Sequence, residues 1–140
     1  MKVLDFVVCE DVRQELGGKL SLMGVYPDAM VINFQQEEKW PFITRLSFYI
    51  KLDPEDAPTY PNCNFQVSRE GIIRSAVPLH VDSPIPANLF VIMLNVQPFA
   101  ISAPGILNFS LEFSGPGLDV NKVEFPPFDV RVGPIGVPAI

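Results

Sequence analysis

Phe42-Ile43-Thr44-Arg45-Leu46-Ser47-Phe48-Tyr49-Ile50-Lys51-Leu52 is the stretch that decides the fold class. Phe42, Leu46, Phe48, Ile50 and Leu52 share one parity, and Arg45, Ser47, Tyr49 and Lys51 share the other. Successive side chains of an extended chain point to opposite faces, so a period of two describes a strand with one face buried. Leu107, Phe109, Leu111 and Phe113 alternate with Asn108, Ser110 and Glu112 in the same way. The composition agrees. Fifteen prolines in 140 residues is about twice the usual share of ~5%, and an interior proline disrupts a helix by ~3 kcal/mol. Val, Ile and Phe are abundant, which favours strands over helices.

Working outward from Phe42, the N-terminal piece reads as a hairpin. Lys2 to Glu10 and Lys19 to Tyr26 are strand candidates, and Gly17-Gly18 between them supplies the positive φ angles of a tight two-residue turn. A bulge near Asp11-Val12 fits this hairpin; the competing reading is one helical turn over Asp11 to Leu16, capped by Gly17. Ala29 to Phe34, Cys63 to Val67 and Ile72 to Val81 are further strands, with Pro78 marking the last as an edge strand or a kink. Leu89 to Val96 is apolar on both faces, which predicts a central strand, and Val120 to Val132 holds one or two more around Pro126-Pro127. Eight or nine strands at short spacing, without βαβ alternation, predict an all-β, antiparallel Greek-key β-sandwich of immunoglobulin-like type. No repeat or linker divides residues 1–140, so one domain is expected, with an apolar C-terminal tail over 133–140.

A resemblance adds to this reading. Cys9-Glu10-Asp11-Val12-Arg13-Gln14-Glu15, followed by Gly18-Lys19-Leu20-Ser21-Leu22-Met23-Gly24-Val25-Tyr26, resembles the opening signature of a family of small uncharacterised bacterial β-sandwich proteins. The run Ala103 to Gly115 is similar to the late strand and turn glycine of many immunoglobulin-like sandwiches. The resemblance implies the sandwich fold over the whole chain and carries no activity with it.

Charge excludes some partners. Ten Lys and Arg against 16 Asp and Glu give a net charge of −6, and no two basic residues are adjacent. A nucleic-acid binder gathers positive charge on one face, and an anionic membrane attracts basic clusters, so neither partner is expected. Asp5 interrupts the apolar stretch that a secretion signal needs, and the proline-broken span Ser83 to Leu111 is no membrane helix. A soluble, cytoplasmic chain follows, in which Cys9 and Cys63 are expected as buried free thiols.

No chemical constellation stands out. His80, the single histidine, lies between Leu79 and Val81 and is expected at the surface. A pairing of His80 with Cys9 or Cys63 has no local signature. Two distant cysteines and one histidine do not make a zinc site. Asp53, Glu55 and Asp56 lack the ligand order of a calcium loop and read as a solvated turn; Glu10-Asp11 and Glu37-Glu38 read as surface charges. Gly17-Gly18-Lys19-Leu20 has leucine where a phosphate loop needs Ser or Thr. No cofactor, metal or catalytic residue is expected. The tail after Arg131 has no polar side chain; it reads as a strand end on its own domain or a loose tail, or, in the sharper reading, Ile135, Val137 and Ile140 bury in a partner subunit. The expected function is a non-catalytic protein-interaction or assembly module, with self-association allowed. A sandwich binding a small apolar ligand is the alternative, and an enzyme comes after it.

Overall fold

The computed structural model describes residues 1–79 and 90–136. Ten strands and no helix occupy the described residues: β1 (Lys2–Gln14), β2 (Leu20–Tyr26), β3 (Ala29–Ile32), β4 (Phe42–Asp53), β5 (Asn62–Arg69), β6 (Ile72–Leu79), β7 (Phe90–Ile101), β8 (Gly105–Ser114), β9 (Asn121–Glu124) and β10 (Phe128–Val132). They form a four-stranded sheet in the order β2-β1-β4-β7 and a second in the order β3-β10-β8-β5-β6, with β9 also pairing β8. Two sheets without helices make this the β-sandwich class.

The period-two stretches became β4 and β8. Leu46, Phe48, Ile50 and Leu52 on one face of β4, and Phe109, Leu111 and Phe113 on β8, are almost completely buried. The chain divides into two compact units. In the unit of residues 1–6, 50–92 and 107–127, Phe6 of β1 stacks on Phe125 at 4.2 Å between ring centroids and meets Phe109 of β8 at 6.2 Å. Within this unit, side chains from the two sheets thus pack together. Phe65 stacks on Phe109, and Tyr60 packs on Phe113. In the unit of residues 7–49, 93–106 and 128–140, Tyr26 of β2 sets its edge against Phe128 of β10, and Phe34 is flanked by Trp40 and Phe42.

Four details differ from the sequence expectations. Among the described residues, which exclude Leu89, β7 ends its sheet, although Leu89 to Val96 reads as central. Its apolar residues on both faces reflect the exposure of Val91 and Met93, not burial of both sides. β3 and β10 pair in parallel, Met30 opposite Val130, so the second sheet is mixed. The β1–β2 connection has three residues between Glu15 and Lys19, whose backbones are hydrogen bonded, so the glycine pair sits in a three-residue loop. Gly17 and Gly18 both take positive φ there, as a three-residue hairpin loop permits. Pairing also runs through Asp11 and Val12 without a shift of register, so the irregularity lies at Gly24 instead, with φ of 64°. Pro78 does lie in an edge strand of the described residues, a position in a sheet where proline is tolerated.

Candidate functional site

β2 is the end strand of its sheet, and antiparallel pairing to β1 places Asp11 opposite Met23, Cys9 opposite Val25 and Arg13 opposite Ser21. Among the described residues its other side has no strand neighbour. Leu20, Met23 and Val25 are exposed, Val25 at 49%. The strands at the ends of the two sheet orders differ in what guards them, and β9, which branches from β8, is four residues long with Lys122 and Glu124. β7 contains Pro98, β6 contains Arg74 and Pro78, and β3 has only four residues. Prolines, charges and short length are the devices by which natural sheets blunt their edges. β2 is seven residues long, Leu-Ser-Leu-Met-Gly-Val-Tyr, with neither a charge nor a proline.

A charged network lies beside this strand. The Arg13 Nε donates to Asp11 Oδ2 at 2.9 Å, Arg45 Nη2 stands 4.0 Å from the same oxygen, and Arg45 Nε donates to the Glu10 carbonyl. The hydrogen bond from Arg13, reinforced by the charge of Arg45, holds the Asp11 carboxyl below its ordinary value of 3.8. Asp11 is therefore half-buried and paired rather than a free surface charge. Ser47, fully buried, has the Glu10 carbonyl and the Asn95 side chain within reach of its hydroxyl. Both are oxygen acceptors, the Glu10 carbonyl and Asn95 Oδ1, so the single Ser47 proton is donated to one of them at a time. The Glu10 side chain packs over Gly24, where an added Cβ would come within 2.7 Å of the carboxylate carbon. Tyr26 O–H donates to Glu10 Oε1 at 3.5 Å, and burial pushes the Tyr26 hydroxyl above its ordinary value, with the Glu10 charge acting in the same direction.

The other candidate residues do not converge. Both thiols are free and buried, as the sequence reading expects. Burial pushes Cys63 up to about 12 and raises Cys9 as well, although a hydrogen bond to the Asp11 backbone opposes the shift at Cys9. Thiols held protonated at neutral pH are poor nucleophiles. Asp53, Glu55 and Asp56 form the expected turn, closed by a bond from Glu55 N to Asp53 Oδ1. No group of three metal-ligating side chains occurs among the described residues. A cleft of about 170 Å³ is lined by Ser68, Asn108, Ser110, Lys122, Glu124 and Phe125, with others. That volume is well below the ~300–1,000 Å³ of drug-sized apolar sites, and its polar floor suits them poorly.

Of the three tail residues, Ile135 is half exposed, while Val137 and Ile140 lie outside the described residues, as does His80. The tail is tied to its own chain as far as Gly136, whose N–H donates to the Phe34 carbonyl, after Gly133 N–H donates to that of Ile32. Among the described residues, no helix is long and apolar enough to cross a membrane. The β2 edge was not singled out by the sequence: alternation identifies a strand but says nothing about its place in the sheet. Its signal is the absence of charge and proline from Leu20 to Tyr26. No family model, curated protein or solved structure matches the chain.

Proposed function

We propose that the protein is a non-catalytic interaction module that takes its partner by strand addition along β2. The observation that carries this reading is the contrast among the end strands of the described residues: β2 is free of charge and proline over its whole length of seven residues, whereas the uncharged β7 is interrupted by Pro98 and β3 has only four residues. An added strand bonds to the unpaired backbone groups, and alternate side chains such as Met23 and Val25 supply the specificity. An immunoglobulin-like Greek-key path and a place in the small bacterial β-sandwich family are the finer readings that go with it. The two buried free thiols suit a reducing, cytoplasmic setting. Nucleic acid and membrane surfaces are not the proposed partners, given a net charge of −6. Binding of a small apolar ligand is the weaker reading, because the described cleft is small and polar.

The test uses the tagged full chain in an extract of the cells that make it. Size-exclusion chromatography is expected to place the wild type well above 15.6 kDa and the Met23→Lys variant at the mass of the single chain. A wild type that elutes alone at that mass would defeat the proposal.

A further inference from the structure

We infer that the occupant of the β2 edge is a second copy of this chain, paired β2 to β2 in antiparallel sense about a two-fold axis at Met23. The inference rests on the reading of β2 as a contact edge and names its partner. Two copies that extend one continuous sheet are related by an axis perpendicular to it, which keeps each side chain on the same face in both copies. Opposed residues must then share parity, so their numbers sum to an even value. The register that overlaps all of Leu20–Tyr26 sums to 46: Leu20 faces Tyr26, Ser21 faces Val25, Leu22 faces Gly24, and Met23 faces itself. Any other even register loses at least two residues of overlap.

Charge is complementary in this register. No charged residue lies within the strand, so no like charges oppose one another despite the net −6 of each copy. Just beyond it, Lys19 runs opposite Pro27 of the second copy, beside Asp28; both Lys19 and Asp28 are exposed, and the two-fold repeats this pairing at the other end. The flanking row is Asp11, Met23, then the second copy's Met23 and Asp11, because Asp11 pairs with Met23 across β1 and β2. The two carboxylates stand three strand spacings apart, ~14 Å, beyond the ~8 Å screening length of physiological salt. Each is already held by its own Arg13. Met23 and Val25, exposed in the single chain, meet Met23 and Ser21 of the second copy on the same face. A two-fold contact closes on itself, so the unguarded edge is consumed in a pair and does not template a fibre.

Sedimentation equilibrium of the purified chain across the micromolar range is expected to give twice 15.6 kDa. The Met23→Lys variant, which sets two ammonium groups face to face at the axis, is expected to give the single-chain mass with an unchanged far-ultraviolet circular dichroism spectrum. Register is read by crosslinking. Met23→Cys brings two thiols together at the axis and forms an intermolecular disulfide on mild oxidation, whereas Val25→Cys faces Ser21 and does not. Three results would overturn the inference: a purified wild type at the single-chain mass, a Met23→Lys variant still at twice that mass, or equal crosslinking by the two cysteine variants. If the purified chain is single while Met23→Lys still abolishes the larger species in extract, the second copy is refuted and the interaction module stands.

Discussion

β2 and β6 are both end strands with exposed apolar residues, Met23 and Val25 on one, Ile72 and Ile73 on the other. Their neighbours are alike too, since each faces a buried thiol across its ladder: Cys9 opposite Val25, and Cys63 opposite Leu79. They differ in guarding. β6 places Arg74 and Pro78 along its length, and its ladder with β5 shifts register between Val67 and Ser68. An arriving strand would meet a charge, a missing donor and a bend, whereas β2 presents none of the first two. Exposed apolar area alone therefore does not mark an interface; its combination with an unblocked backbone does.

The largest expected effect comes from erasing that difference. Arg74→Val with Pro78→Val strips the guards from β6 and gives the chain a second open edge. Two open edges per molecule allow open-ended addition. Light scattering is expected to show a mass that grows with time without a plateau, and adding Met23→Lys is expected to restore a finite species. A double variant that keeps the wild-type mass would mean that the guards of β6 are not what blocks pairing.

Alkaline titration separates the two thiols. An unfolded cysteine ionises near 9.0, and burial carries Cys63 to about 12. Its contribution is intact below pH 9, and stability falls as pH rises from there through about 12, because only the unfolded state ionises readily. The loss is about 1.4 kcal/mol for each pH unit in that window. Cys63→Ala is expected to flatten this slope in denaturant titrations at pH 8 to 11, whatever its cost at neutral pH. Cys9→Ala is expected to flatten it less, since the Asp11 backbone hydrogen bond offsets part of the desolvation at Cys9.

Much of the sandwich was legible because burial writes itself into period two. Leu46, Phe48, Ile50 and Leu52 could be assigned to one face from spacing alone, and all four are fully buried. Position within a sheet leaves a fainter trace. Leu89 to Val96 reads as central because an exposed valine or methionine has the same symbol as a buried one, and only the absence of a further neighbour among the described residues makes β7 an edge. The parallel pairing of Val130 with Met30 joins residues a hundred positions apart, and no local pattern specifies it. The Arg45 contact to Glu10 likewise depends on β1 and β4 becoming neighbours. Pro78 narrows its strand to an edge or a kink because proline has no N–H to give a ladder, and of the two the structure has the edge.

The smallest expected effect concerns two glycines with similar backbone angles. Gly24 in β2 and Gly71 in the β5–β6 turn have φ of 64° and 76°. An L-residue in the left-handed region costs roughly 1–2 kcal/mol, so alanine is expected to destabilise at both sites. At Gly71 nothing lies within 4 Å of an added Cβ, and that strain is the whole effect. At Gly24 the Cβ would also meet the Glu10 side chain at 2.7 Å, which forces the carboxylate off the strand and breaks its contact with Tyr26. Denaturant unfolding in the Met23→Lys background, where association is removed, should show Gly24→Ala to be the costlier. Glu10→Ala in the same background removes the obstruction, so Gly24→Ala on top of it should cost about as much as Gly71→Ala. Two groups in contact are coupled in this way and independent sites are not; additive costs for Glu10→Ala and Gly24→Ala would show that Glu10 does not cover this strand in solution.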